Sequence, residues 1–128
     1  MGNGTSIGRV RGLGAAHHGP HHWLVQRFTA IGNVVLMSWL LVSLALLGDY
    51  GHENVTKWLS QPVSATAMIL LVTSLFWHAR LGLQVLIEDY IHDAGSKFGA
   101  ISALNLATIG GGAFAIFSVA ALAFGGQA

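Results

Sequence analysis

The chain lacks cysteine and carries very little charge. With no cysteine among its 128 residues, it forms no disulfides and offers no thiolate ligands to a metal or an iron–sulfur cluster, which leaves histidine as the main candidate ligand. Charged residues make up 9% of the sequence, whereas soluble domains contain about 25%. The formal net charge of +1 provides no basic stripe to replace counterions on a phosphate backbone, so a nucleic-acid partner is excluded.

The sequence is instead dominated by three long apolar runs. Hydrophobic residues make up 53% of it, and its mean hydropathy is +0.61, which indicates a membrane protein. The runs predict transmembrane helices at about 24–47, 65–88 and 98–124, each long enough to span a hydrocarbon core of about 30 Å. Three helices form a layer that could hardly enclose a large cofactor alone, so a partner is expected.

The N-terminal stretch differs in composition from the rest. Residues 1–22 are rich in glycine and histidine and lack the apolar region and cleavage site of a secretory signal, so we expect a retained arm followed by a three-helix anchor at 23–128. Arg9, Arg11 and Arg27 precede or enter the first helix, against Lys57 in the first connector. The positive-inside rule therefore predicts a cytoplasmic N-terminus and a periplasmic C-terminus in a bacterial inner membrane.

Two polar connectors separate the predicted helices. Residues 48–62 read as a loop with a short amphipathic piece at Val55–Leu59, and no catalytic pair is evident there. The second connector begins with Glu88 and Asp89 and also contains Asp93. Three acids so close together predict raised pKa values through mutual repulsion.

The most informative stretch runs from Trp77 to Tyr90. At about 100° per residue, His78, Gly82, Val85 and Asp89 share one helical face, and Gly82 leaves room for a flat cofactor one turn from the imidazole. A rise of about 1.5 Å per residue separates His78 from Asp89 by roughly 16 Å, which is about half of the bilayer core. His78 is therefore either a mid-membrane ligand or a buried, hydrogen-bonded histidine, and Asp89 lies at the interface.

Two arginines lie at or inside the predicted membrane. Arg27, at the edge of the first helix, is either a snorkelling residue or a cation for a carboxylate just below the interface. Arg80 points roughly 200° away from His78. Because lipid offers it nothing, Arg80 is expected to bind a carboxylate, a propionate or a neighbouring subunit.

Four histidines cluster before the first helix, at His17, His18, His21 and His22. Imidazoles at this spacing fit zinc or nickel, yet metal sites need a fixed geometry and second-shell support that an arm around a Gly-Pro turn does not supply. The other interpretation is that they cap the helix and line a polar interface.

Two stretches together resemble a known family. They are His-His-Trp-Leu-Val-Gln-Arg-Phe-Thr-Ala at residues 21–30, and a histidine followed by Gly82 and then Asp-Tyr-Ile-His at residues 89–92. This pattern is similar to the small hydrophobic membrane anchor of succinate dehydrogenase, respiratory complex II, in its alphaproteobacterial and mitochondrial forms. The resemblance covers all three predicted helices in order and length.

The resemblance implies an all-α anchor with three transmembrane helices, half of a six-helix unit whose other half is the cytochrome b subunit. The two anchors hold one haem b by one histidine each, so His78 is implied as an axial ligand of the haem iron and Arg27 as a neighbour of a haem propionate. Tyr90 is implied as a hydrogen-bond donor to ubiquinone, with Asp89 beside it. The flavoprotein and iron–sulfur subunits dock on the cytoplasmic face and carry the dehydrogenase chemistry, so this chain has no catalytic residue of its own for that step.

Two other classes remain open from the sequence. The first is a small histidine-rich metal-binding or transport-associated membrane protein, and the second is a purely structural anchor without a cofactor. An absorption spectrum separates all three, because bis-histidine haem b has sharp reduced bands that the others lack.

Overall fold

The computed structural model describes residues 19–125, which form three long helices and one short helix. They are α1 (Gly19–Leu47), α2 (His52–Leu59), α3 (Pro62–Tyr90) and α4 (Ala94–Gly125). At 1.5 Å per residue the long helices measure about 43 to 48 Å, more than a hydrocarbon core of about 30 Å. All three are long and apolar enough to cross a membrane, so the predicted all-α architecture with three candidate spans is confirmed.

Helix α1 begins at Gly19, earlier than the boundary near residue 24 that the apolar run predicts. Pro20 therefore lies in the first turn, where a missing N–H has no helical partner to lose and the fixed φ suits the helix. His21 and His22 belong to this turn, so the predicted Gly-Pro turn is replaced by helix. The predicted arm otherwise falls on residues 1–18, outside the described part of the chain.

The first connector contains more helix than its sequence predicts. Helix α2 covers His52–Leu59 rather than only the last five of these residues, and Leu59 at its end is buried. Trp58 stacks on Trp39 of α1, with ring centroids 5.7 Å apart and an interplanar angle of 22°. This stacking and the burial of Leu59 hold α2 against the ends of the long helices.

The long helices form a layer with α3 in the middle. Helix α3 packs against both α1 and α4, whereas α1 and α4 do not pack against each other within the described residues. Few side chains are buried, namely Leu59, Ser64, Leu71, Leu81, Val119 and Ala123. Most large apolar side chains face outward, and Leu46 is 82% exposed. Such a layer needs lipid or another protein on both of its faces.

Glycines in the middle of α4 allow α3 to approach closely. A Cβ built at Gly111 would lie 2.9 Å from Cε1 of Phe76, and one at Gly112 would lie 3.6 Å from Cγ of the same ring. The ring of Phe76 therefore occupies the space that these glycines leave. This is the close contact that small residues permit between membrane helices, and it fixes the depth of α4 against α3.

Candidate functional site

Helices α1 and α3 meet along a seam of small and polar residues. Thr29 contacts His78 across this seam, and one turn further along Gly32 faces Ser74. In the other direction, Gln26 of α1 lies opposite Gly82 of α3. The pairs follow an antiparallel register in steps of about one helical turn. His78 thus points toward α1, inside the span and away from α4.

The hydrogen bond between Thr29 and His78 bears on which imidazole nitrogen is protonated. Thr29 Oγ1 lies 3.0 Å from His78 Nδ1, and 2.9 Å and 3.0 Å from the backbone carbonyl oxygens of Val25 and Gln26. A hydroxyl has one proton and a carbonyl only accepts, so donation to a carbonyl leaves the Thr29 oxygen as the acceptor for His78. In this arrangement Nδ1 carries the proton and Nε2 presents its lone pair, as metal-binding histidines require.

The backbone at Gly82 is open next to this histidine. A Cβ built there would meet only Nε2 of Gln26, at an ordinary contact distance of 4.0 Å. Packing within the described residues therefore does not require glycine at this position, although glycine inside a helix costs about 0.5–1 kcal/mol relative to alanine. The open surface one turn from His78 suits the edge of a planar group such as a haem, and the residues present fit that cofactor.

Arg27 lies on α1 with no carboxylate beside it. Its guanidinium stacks over the ring of Trp23, 5.0 Å from the centroid. All five acidic side chains of the sequence belong to the described part of the chain, and the ion pair found there joins Lys57 to Glu53. Within the described residues, therefore, no acidic side chain pairs with Arg27.

Asp89 and Tyr90 lie at the end of α3, apart from His78. They are 11 and 12 residues further along the helix, or about 16 and 18 Å at 1.5 Å per residue. Tyr90 is 79% exposed, and within the described residues neither side chain makes a hydrogen bond. The chain alone does not bring these two residues and His78 into one pocket, and both side chains are available to a ligand or a partner.

The acids of the second connector do not all behave as their spacing predicts. Asp93 Oδ2 accepts a hydrogen bond of 2.8 Å from the backbone N–H of Ser96 in the first turn of α4. This bond, with the Ser96 hydroxyl, holds the pKa of Asp93 below its usual value. The predicted rise is therefore wrong for Asp93, because hydrogen bonds to the charged form outweigh repulsion between exposed carboxylates.

Arg80 finds a partner inside the chain, and it is not a carboxylate. Its Nε donates a hydrogen bond of 2.7 Å to Oδ1 of Asn105 in α4, and its guanidinium lies 5.4 Å from the ring centroid of Trp77. The sequence predicted a carboxylate, a propionate or a neighbouring subunit as the partner of Arg80, and for its Nε–H this prediction is wrong. A neutral amide at the same depth accepts the bond, since the antiparallel packing of α3 and α4 brings the two together.

Two polar residues at the site were missed by sequence reasoning. Thr29 and Asn105 each interrupt an apolar run, and Asn105 is the one amide side chain in α4. Polar groups inside a span seek partners in neighbouring helices, so their depth is a usable signal. Pairing them with His78 and Arg80 needs the register between helices, which the sequence does not specify.

The four-histidine cluster is only partly described. His17 and His18 lie outside residues 19–125, while His21 and His22 lie in the first turn of α1. Within the described range no group of three or more histidine or acidic side chains is placed to hold a metal ion.

Comparisons with known proteins agree with the resemblance in the sequence. Residues 1–124 match the family of the succinate dehydrogenase/fumarate reductase transmembrane subunit. The succinate dehydrogenase hydrophobic membrane anchor subunit of Rickettsia bellii is 40% identical over 88 residues, which cover 68% of this chain and 70% of the relative. The succinate dehydrogenase membrane anchor subunit of Reclinomonas americana is 31% identical over 94 residues, covering 71% and 78%. No solved structure matches the chain significantly.

Proposed function

The chain belongs to the succinate dehydrogenase/fumarate reductase transmembrane subunit family, and we propose that, as a membrane anchor subunit of succinate dehydrogenase, it binds haem b and ubiquinone. His78 would hold the haem iron from this chain, and the partner anchor, which is the cytochrome b subunit, would supply a second histidine. Arg27 neutralises a haem propionate. Tyr90 and Asp89 form this chain's part of the quinone site.

The observation that carries the haem proposal is the hydrogen bond between Thr29 and His78. It holds the imidazole in one orientation, with Nδ1 as donor and Nε2 left as the ligand atom. Gly82 leaves the adjacent surface open to a macrocycle edge. When bound, haem b supplies a one-electron redox centre within the membrane, while this chain's residues orient the ligand and balance charge.

The proposal for Arg27 is supported by charge. A guanidinium inside the span is costly without an anion, and none of the acidic side chains, which all lie within residues 19–125, forms an ion pair with it. A haem propionate is an anion that fits this depth. Trp23 stacks on the guanidinium and so limits its motion.

The quinone proposal is supported by position and chemistry. The end of α3 is where a quinone head settles, because the head is too polar for the bilayer centre and its tail is apolar. Reducing ubiquinone to ubiquinol takes two electrons, which come from succinate through the soluble subunits, and two protons. The Tyr90 hydroxyl donates a hydrogen bond to one carbonyl, and this bond strengthens as negative charge develops on that oxygen. Asp89 beside it orders the site or its proton supply.

The proposed orientation places these groups on the side of electron delivery. A cytoplasmic N-terminus and three spans bring Asp89 and Tyr90 to the cytoplasmic face, where the flavoprotein and iron–sulfur subunits dock. The C-terminus then faces the periplasm.

An absorption spectrum tests the role of His78. His78→Ala in the purified complex should lose the haem, or shift it from low to high spin, because one axial ligand is gone. His52→Ala is the matched control, since His52 is exposed on α2 and should leave the spectrum intact. An unchanged low-spin spectrum in the His78 variant would contradict the assignment.

A pair of activity assays tests Tyr90. Tyr90→Phe keeps the ring and removes only the hydroxyl, so succinate oxidation with a soluble dye should persist while quinone reduction falls. Tyr50→Phe is the control, because Tyr50 is exposed in the other connector. Equal quinone reduction by the Tyr90 variant and the native complex at limiting quinone would refute the role.

A further inference from the structure

Arg80 carries a positive charge inside the span, two residues from His78. A guanidinium is permanently charged in proteins. The five acidic side chains of the sequence all lie within the described residues, and none of them forms an ion pair with Arg80. Its polar contacts in that part of the chain are the ring of Trp77 and the neutral amide of Asn105. This chain therefore leaves the charge of Arg80 uncompensated.

The hydrogen bond to Asn105 fixes the depth of this charge. A long arginine side chain at membrane depth otherwise extends toward the interface, whereas Nε of Arg80 donates a bond of 2.7 Å to Oδ1 of Asn105. Asn105 lies 11 residues after Ala94, where α4 begins. His78 lies 11 residues before Asp89, near the end of α3. At 1.5 Å per residue both are about 16 Å from the connector that joins the two helices, so the amide holds the cation at the depth of the imidazole.

The surroundings of Arg80 screen its charge only weakly. Arg80 lines a groove of about 500 Å³ between α3 and α4, and the other walls of this groove are mainly apolar and include Phe76, Ile109 and Ile116. Among the described residues that line it, none except Arg80 is ionisable. Coulomb interactions are stronger at low dielectric than in water, and the Cα atoms of residues two apart in a helix are separated by only about 5 Å. The charge of Arg80 therefore acts on a group bound at His78.

We propose that Arg80 is a fixed charge that raises the reduction potential of the haem b held at His78, and that Asn105 is the residue that positions it. The inference rests on the proposed role of His78 as a haem ligand. Reduction of ferric to ferrous iron adds one electron, which comes from succinate through the soluble subunits, and lowers the net charge of the haem by one. A nearby cation therefore favours the reduced form.

A redox titration of the purified complex, followed in the reduced α band of the haem, tests this proposal. Arg80→Gln removes the charge and should lower the midpoint potential, so that less than half of the haem is reduced at the applied potential that half-reduces the native complex. Lys57→Gln is the matched control, because it removes a cation that is exposed on α2, and it should keep the native potential.

Asn105→Asp separates the effect of charge from the effect of structure. The variant keeps the size of the side chain and the acceptor for Nε of Arg80, and the guanidinium keeps the new carboxylate ionised. Its negative charge compensates Arg80, so the midpoint potential should fall although Arg80 is retained. If the pair served only to hold α3 against α4, the retained bond would leave the native potential unchanged.

The low-spin spectrum of each variant shows that the haem keeps its ligands, so a shift in potential then reports charge. Arg80→Lys retains the charge and should stay closer to the native potential than Arg80→Gln. If Arg80→Gln fails to assemble, Asn105→Asp and Arg80→Lys decide the matter. A native or higher potential in Arg80→Gln or in Asn105→Asp would overturn this inference and leave His78 as the ligand. A native complex without a b-type spectrum would overturn the haem proposal and this inference with it.

Discussion

Replacing Thr29 by valine tests the arrangement of the candidate haem site most directly. The substitution keeps the shape of the side chain and removes the oxygen that lies 3.0 Å from His78 Nδ1. In the inferred tautomer this oxygen accepts the Nδ1 proton while its own proton is bonded to a backbone carbonyl of α1. In the variant the Nδ1–H has no acceptor and the ring is free to rotate.

Two estimates, one of lost stability and one of lost metal affinity, give the size of the effect of Thr29→Val. A buried donor left without its acceptor costs about 1–3 kcal/mol. Loss of a hydrogen bond that orients a metal-binding histidine typically lowers metal affinity about 10–100-fold, which corresponds to about 1.4–2.7 kcal/mol. We therefore expect Thr29→Val to lower haem affinity by one to two orders of magnitude. The midpoint potential should also rise, because an imidazole without this bond is less basic and stabilises ferric iron less.

The assay combines haem stoichiometry, the reduced-minus-oxidised spectrum and a redox titration of the purified complex. Thr29→Ser retains the hydroxyl and should restore both occupancy and potential. Ser38→Ala is the control on the same helix, because its hydroxyl bonds only the carbonyl of Val34 among the described residues. Native haem content and potential in Thr29→Val would refute the idea that this hydroxyl orients the ligand.

Three further predictions concern other parts of the chain. Arg27→Gln should lower haem retention without preventing insertion of α1, measured as haem per complex, and full retention at native potential would contradict the propionate assignment. Gly111→Ala should destabilise the complex by about 1–3 kcal/mol through overpacking against Phe76. Gly110→Ala, where a Cβ meets nothing of residues 19–125 within 4 Å, should be neutral or stabilising, and thermal unfolding measures both changes. The pKa of Asp93 is lowered from 3.8, so its hydrogen bond to Ser96 stabilises α4 fully above that pH, and this stabilisation is lost as the pH falls through the lowered pKa. The difference in melting temperature between the native protein and Asp93→Ala should therefore become smaller in acid. A difference that grows in acid would exclude the stabilising role of this carboxylate.

The three spans follow from the sequence because of one physical constraint. In hydrocarbon every backbone N–H and C=O must be bonded within its own segment, so an apolar run of about twenty residues becomes a helix whatever surrounds it. The position of His78 beside Gly82 on α3 is likewise a property of helical periodicity. The ends of the helices are less determined, since α1 continues back to Gly19 and α2 extends the amphipathic piece predicted at Val55–Leu59 back to His52. Pro20 suits the first turn of α1, and the stacking of Trp58 on Trp39 with the burial of Leu59 holds α2 in place.

Partners across helices were decided only by tertiary structure. The apolar faces of α1, α3 and α4 fit together at many depths, and close packing around Gly32 and against Phe76 selects one register. That register brings Thr29 to His78 and Asn105 to Arg80, neither of which can be derived from residue spacing within one helix. The same packing gives two polar residues of α3 different partners, since His78 contacts Thr29 of α1 while Arg80 bonds Asn105 of α4. Sequence alone determined which polar residues enter the membrane, and helix packing determined which of them meet, because side-chain contacts depend on the register between helices.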